Sequence, residues 1–348
     1  MTQGTDPSRH PRRRPGALAI AVVAGILLLG GLVAVLALGS THSPRASSTP
    51  SPSMSATART TSPSVPASSS PVRSPSVTPH SPSPPSPMAV VSSTIRFVDR
   101  SRRVVSGLSV LAKERVLPTE IWMPKAPGRF PLVVFVHGFD AFPDYYARFC
   151  SQLASAGYVV AAPSFPLEDP TRGFGLNRDD LPNEATDVSF VIGAMRRGPL
   201  GRRLDRGNAV VGHSDGADVA LMVGYQRGKA DPRVGAIVAD APDPMKGALV
   251  GSRSPLLLVQ GNADTVVPYS SSQTVFRQVS APCYYLTLLG ADHVPPIFGS
   301  SKWTQPLDTA VADFLDATVA ERGPGISHLS AELHTLPYTR LETRAVSK

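Results

Sequence analysis

In Asn208-Ala209-Val210-Val211-Gly212-His213-Ser214-Asp215-Gly216-Ala217-Asp218-Val219-Ala220-Leu221-Met222-Val223, a buried-strand pattern runs into a helical one through a five-residue turn. The turn fits G-x-S-x-G, which lifts a serine hydroxyl above the end of a sheet. A serine there is strained and exposed, and the flanking glycines let the backbone pass close to neighbouring strands. The five-residue pattern alone arises by chance in many chains. The strand before it and the helix after it single out Ser214 as a candidate nucleophile.

A serine nucleophile needs a histidine base, and the base needs a carboxylate to fix its tautomer. On an elbow of this kind the chain order is serine, acid, histidine. His10, His42 and His80 lie in N-terminal stretches without a core pattern, His137 precedes the serine, and His213 adjoins it and should point away from the hydroxyl. His328 and His334 fall in a polar C-terminal stretch. His293 remains, in a loop after the apolar run Tyr284–Leu289. For the acid, the strand pattern Pro255–Gln260 leads into Gly261-Asn262-Ala263-Asp264. Asp264 is therefore the first candidate. Asp240 and Asp243, one strand earlier, are its competitors, and Asp292 reads as a loop-stabilising neighbour of the base.

An oxyanion hole needs two backbone N–H donors. One is expected from Asp215, the residue after the serine. The other is expected from Phe139, in the loop His137-Gly138-Phe139-Asp140 that follows the strand Leu132–Val136. The Asp215 side chain opens a helix, where an anion is favoured, and is expected to turn outward. Phe139, Phe165 and Phe174 are candidate cleft residues; Phe165, Phe174 and Leu167 fit equally well as loop anchors. No P-loop, H-E-x-x-H or metal-ligand cluster is present, and Gly173-Phe174-Gly175 lacks the third glycine of a nucleotide fingerprint. Neither a cofactor nor a metal is expected.

The stretch from about Thr94 to Ala320 resembles the α/β-hydrolase superfamily. Leu117–Pro124, followed by Phe130–Phe139, is similar to the dienelactone-hydrolase-like, chlorophyllase-like and acetylhydrolase-like branch, and secreted actinobacterial cutinases and polyester hydrolases share the layout. The resemblance implies a serine carboxylester hydrolase and an aromatic oxyanion donor after a glycine, which Phe139 matches. The chain departs from that pattern at Asp215, where Met, Gln or Phe is usual, and at Ala217, where a further glycine is common.

Alternating strand and helix patterns after Thr94 predict an α/β fold. The expectation is a mainly parallel, doubly wound sheet of about eight strands. Ile95–Val98 and Leu117–Trp122 should pair antiparallel at one edge. About 16 residues separate the strands ending near Ala239 and starting at Leu256, which leaves little room for a large cap. The longest irregular stretch, Pro163 to Pro182, is expected at the cleft rim. An open cleft suits a bulky or polymeric ester as readily as a small one. Cys150 and Cys283 are expected as free buried thiols, since their elements should lie far apart in such a sheet.

The first 94 residues carry seven arginines against one acid, Asp6, which accounts for six of the eight net positive charges. The positive charge sits outside the catalytic stretch, so a nucleic-acid partner is not expected. Residues 1–16 read as a basic cytoplasmic N-terminus. Residues 17–38 are uncharged; at ~1.5 Å per residue they span roughly 33 Å, enough to cross a ~30 Å hydrocarbon core. With Arg12-Arg13-Arg14 before the run, a single-pass anchor with the catalytic domain outside is expected. The rival is a secreted protein, cleaved near Ala37-Leu38-Gly39. Residues 39–93 are Ser/Pro/Thr-rich and cannot bury enough surface to fold. Such a linker could carry the catalytic domain, 94–322, to the cell wall, and 323–348 reads as a polar tail. The expected function is an extracytoplasmic, membrane-anchored serine carboxylester hydrolase. An acyltransferase of envelope lipids or sugars, and a non-catalytic wall-associated protein of the same fold, are the alternatives.

Overall fold

Every residue of β5 (Phe130–Val136) is buried, and its side chains divide by parity. Leu132, Val134 and Val136 enter one core, while Val133 and Phe135 enter another on the opposite face. A strand alternates its side chains between faces, so a strand apolar throughout needs both faces covered. The computed structural model describes residues 87–344 apart from 245–246, 250–253, 300 and 323–324. The expected anchor at 17–38, the basic N-terminus and nearly all of the linker lie outside the described residues. Among the described residues no helix is long and apolar enough to cross a membrane.

Around β5 the sheet has nine strands, one more than expected. β1 (Val90–Asp99) pairs antiparallel with β4 (Arg115–Pro124) at one edge, and β4 pairs antiparallel with β6 (Val159–Pro163). β6, β5, β7 (Leu204–His213), β8 (Ala236–Asp240), β9 (Leu256–Gly261) and β10 (Cys283–Leu288) then run parallel in that spatial order. β11 (Thr339–Arg344) closes the other edge, antiparallel to β10. A separate hairpin, β2 (Val104–Ser106) and β3 (Ser109–Ala112), joins β1 to β4.

The helices cover both faces. α2 (Leu181–Arg197), α3 (Asp215–Tyr225) and α4 (Tyr269–Gln278) supply the first core, with Val188, Val191, Ile192, Val219, Val223 and Val275. α1 (Ala147–Ser155), α6 (Thr304–Thr318) and α7 (Ile326–His334) supply the second, with Phe149, Leu153, Phe314 and Leu329. α5 (Pro295–Phe298) is a single turn after the base loop. Cys150 and Cys283 are free and buried.

Three expectations about the scaffold need correction. The stretch 323–348 is not merely a polar tail: α7 buries Leu329 and Leu333, and β11 buries Leu341. In Thr339-Arg340-Leu341-Glu342-Thr343-Arg344 a single apolar residue faces inward, as suits an edge strand and gives little hydrophobic signal. At the other end β1 begins at Val90, inside the stretch assigned to the linker. The third correction is Phe165, placed at the cleft by one reading. It is fully buried with its ring 5.1 Å from that of His137, so it anchors the rim loop.

The rim between β6 and α2 has two one-turn 3-10 segments, Pro170–Arg172 and Arg178–Asp180. Its base is pinned by Arg115, which is fully buried at the start of β4 and bonds both Asp180 and Asp187. A buried charge is tolerated when it is paired and hydrogen-bonded, and breaking one side of such a pair is costly.

Candidate active site

Ser214 stands between the last residue of β7 and the first of α3, with φ 58 and ψ −127. A non-glycine residue at positive φ is strained and persists only where the surroundings impose it. Here they do. Its N–H donates to Asp240 O at 2.9 Å, and its own carbonyl accepts from Ala217 and Asp218. A Cβ on Gly212 would come within 1.9 Å of Gly216 O, and one on Gly216 within 2.1 Å of Val136 O. Both flanking positions therefore admit only glycine.

His293 and Asp264 meet beside the elbow, from the loops after β10 and β9. His293 Nδ1 lies 2.9 Å from Asp264 Oδ2. A carboxylate accepts, so Nδ1 donates and the Nε2 lone pair is left free to take a proton. The other Asp264 oxygen accepts from the N–H groups of Val266 and Val267, at 2.9 and 2.8 Å. Burial pushes the Asp264 pKa up. The His293 bond and charge and the two N–H groups outweigh burial and leave it below the usual carboxylate range. Asp292 bridges the loops by accepting from Thr265 and from His293 N.

Asp240, the competing acid, does not reach His293 by a hydrogen bond. It is buried, its Oδ2 has no partner among the described residues, and burial lifts its pKa from 3.8 to about 7. Asp243 bonds Arg178 instead. The Asp240 shift has a sign that can be tested. The folded state holds this proton more tightly than the unfolded chain does. Its contribution is complete below pH 3.8 and is lost as the pH rises to about 7. A gap of about three pH units at about 1.4 kcal/mol each gives roughly 4 kcal/mol. Asp240→Asn should therefore flatten the pH dependence of stability between pH 4 and 7 and leave the protein about 3–4 kcal/mol more stable than wild type at pH 8. Urea unfolding of both proteins at pH 5 and pH 8 measures this. Equal pH slopes would contradict it. The buried Glu168 and Glu184 are shifted in the same direction, so the difference between the two proteins isolates Asp240.

The 137–140 loop abuts the elbow: a Cβ on Gly138 would lie 2.9 Å from Ser214 Cβ. The next residues are Phe139, whose ring is exposed, and Asp140, held at φ 54. Among the described residues the backbone N–H groups of Phe139 and Asp215 donate to no other group. For Asp215 this follows from its place in the first helical turn.

A buried relay ties these loops together. Gly138 N–H donates to the Tyr146 hydroxyl (3.2 Å), Tyr146 donates to His213 Nδ1 (3.0 Å), and His213 Nε2 donates to His293 O (3.2 Å). The His213 ring thus points away from the serine and holds the backbone of the base. Burial and the nearby charge of His293 lower the His213 pKa to about 3, so the ring is neutral and keeps its donor and acceptor roles. His137 acts similarly. Its Nδ1 donates to Gly138 O and its Nε2 accepts from Phe165 N, which fixes the rim to the 137–140 loop. Tyr146 was invisible in the sequence, because Asp144-Tyr145-Tyr146 at a helix start follows no catalytic pattern.

The Asp215 side chain corrects an expectation. It is buried rather than turned outward, and Arg178 of the rim binds it through both carboxylate oxygens, with Nε at 2.6 Å. Arg178 also bonds Asp243 at 2.6 Å. Asp215, Asp218 and Asp243 lie close enough to share one cation, and the guanidinium of Arg178 fills that role for Asp215 and Asp243. A cavity of about 520 Å³ opens alongside, lined by Arg178, Asp218, Met222, Gln226 and Asp243, without reaching Ser214 or His293. Of the proposed cleft residues, Phe139 is exposed and Phe174 half-buried. Phe298, next to Tyr146 and His213, was not foreseen.

Residues 105–265 match the family profile described as Chlorophyllase. That span includes Ser214 and Asp264 and stops short of His293. A protein of Chenopodium album described as Chlorophyllase type 0 is 28% identical over 148 residues, 39% of this chain and 41% of the relative. The chain thus spans about two-fifths of the length of the curated relative it matches. With a nine-stranded, mostly parallel sheet and a strained serine at the end of its central strand, these similarities place the chain in the α/β-hydrolase superfamily.

Proposed function

We propose that this chain is a serine carboxylester hydrolase that works outside the cell membrane, anchored by residues 17–38 and extended on the 39–93 linker. The observation that carries the chemistry is the His293–Asp264 bond beside the strained elbow of Ser214. His293 Nε2 takes the proton of Ser214 as Oγ attacks the ester carbonyl. The developing oxyanion is held by the N–H groups of Phe139 and Asp215, which are preorganised and need no reorientation. His293 then protonates the leaving alcohol. In the second half, water gives its proton to His293 and attacks the acyl-enzyme, which releases the acid and restores Ser214.

Arg178 has a part in this scheme. A bare Asp215 carboxylate next to the oxyanion would oppose the negative charge that forms there. The bidentate guanidinium offsets it. The absence of a large cap among the described residues favours an accessible ester, bulky or polymeric ones included. The match to a protein described as Chlorophyllase type 0 supports ester hydrolysis and leaves the alcohol and acyl groups to experiment.

One experiment tests both the chemistry and the place. Protease added outside cells stripped of their wall should release, by cleavage within 39–93, a domain that hydrolyses p-nitrophenyl butyrate. A released domain without activity would contradict the chemistry. Active protein that stays protected inside the cell, or that is found soluble in the culture fluid with its start near Ser40, would contradict the anchored arrangement.

A further inference from the structure

The hairpin between β1 and β4 leaves a row of apolar side chains in water at the end of the sheet that carries Ser214. β1 ends at Asp99, opposite Arg115. Four residues further along β4, Thr119 lies opposite Pro163, the last residue of β6. The connection from 100 to 114 therefore projects beyond the carboxyl ends of the parallel strands. Ser214, Asp264 and His293 lie at that same end. Leu108 at the hairpin tip is fully exposed, and Val105, Val110 and Leu111 are exposed as well. Val105 and Val110 face each other across the two strands.

The tip is held out rather than left loose. Ser106 and Ser109 flank a two-residue turn whose first residue, Gly107, has φ 56, a hairpin turn that glycine favours. Val104 at its foot is buried. Arg102 bonds Asp99, Asn183 O and Asp187. Asn177 of the rim donates to Ser106 Oγ at 3.0 Å, and its neighbour Arg178 is the partner of Asp215. Exposed apolar side chains gathered on one hydrogen-bonded element at the end of the sheet that carries the site mark an interaction surface.

The charges around it indicate the partner. Arg100, Arg103 and Lys113 flank the apolar tip and are exposed. Arg100 is 3.6 Å from Glu114, whereas Arg103 and Lys113 make no ion pair among the described residues. An apolar tip with a cationic collar has the pattern of elements that enter the boundary of an anionic bilayer, with acyl chains meeting the tip and headgroups meeting the collar. We propose that the 104–112 hairpin docks the domain on an anionic phospholipid surface, with the tip inserted and the cleft facing the lipid. The docking itself stands without the hydrolase reading; only its use, which is to present an ester lying in or on that surface to Ser214, rests on it.

The test uses the full-length chain reconstituted with vesicles. Leu108→Cys carries an environment-sensitive fluorophore; Cys150 and Cys283 are buried and should not compete for label. Thr343→Cys is the control, exposed on β11 near the start of β10, at the opposite end of the sheet. With phosphatidylglycerol-containing vesicles, the label at 108 should brighten at least twofold and be quenched by brominated acyl chains. The label at 343 should do neither. Pure phosphatidylcholine, high salt, or the charge reversals Arg103→Glu and Lys113→Glu should remove most of the effect. An unchanged signal at 108 with protein bound to anionic vesicles would overturn the proposal, as would equal signals in neutral and anionic vesicles. Brightening without vesicles that grows with protein concentration would assign the hairpin to a second copy of the chain instead. None of these readouts requires activity, so a failure of the hydrolase reading would be seen separately.

Discussion

Ser214→Ala should abolish ester hydrolysis, with a fall in kcat of about 10⁶-fold, the scale of nucleophile loss in serine triads. The reason is local. Oγ is the atom that would form the acyl-enzyme, and an alanine offers His293 no hydroxyl proton to accept. What survives is the effect of the oxyanion donors and of binding, which is small by comparison. The fold should persist, because Ser214 is half-buried and its side chain caps nothing in α3. A near-native melting temperature with activity at background is the expected pair of results. Activity within tenfold of wild type would rule out Ser214 as the nucleophile.

Asp264→Asn should lower kcat by roughly 10⁴-fold while the structure stays intact. The side chain keeps its size, but its amide nitrogen can turn toward His293 Nδ1. That contact makes Nδ1 the acceptor and moves the proton to Nε2, where a base is needed. The two N–H groups of Val266 and Val267 already claim one carboxylate oxygen, so the remaining oxygen or nitrogen must face the histidine. Asp240→Asn is the matched comparison. Asp240 contributes its backbone to Ser214 N and no side-chain hydrogen bond to His293, so that variant should keep kcat within a few-fold. Near-normal rates in Asp264→Asn together with loss in Asp240→Asn would reassign the acid.

Much of the scaffold was legible because it follows from short-range rules. β5 and β9 are apolar runs of strand length, β7 carries the short apolar stretch Ala209-Val210-Val211 just before its end, and each leads directly into a loop bearing a candidate group. The order of Ser214, Asp264 and His293 along the chain could be read for the same reason. What could not be read depends on contacts distant in sequence. Nothing about Tyr146 predicts a bond to His213, 67 residues away. The burial of Asp215 depends on Arg178 in the rim, a loop without periodicity. Phe165 looked like a cleft residue because an aromatic in a loop near a strand end fits both a wall and an anchor; only the position of His137 decides. The β2–β3 hairpin and β11 were missed because short or one-sided strands leave almost no hydrophobic alternation.

Stoichiometric labelling with a fluorophosphonate, followed by mass spectrometry of the intact chain and its peptides, asks directly whether Ser214 is an activated nucleophile. The reagent reacts with an activated serine and leaves ordinary surface serines untouched. One adduct per chain is expected, located on Ser214, absent from Ser214→Ala and formed much more slowly in Asp264→Asn. Ester hydrolysis by a chain whose adduct sits on another residue, or that takes up no adduct at all, would contradict this role for Ser214.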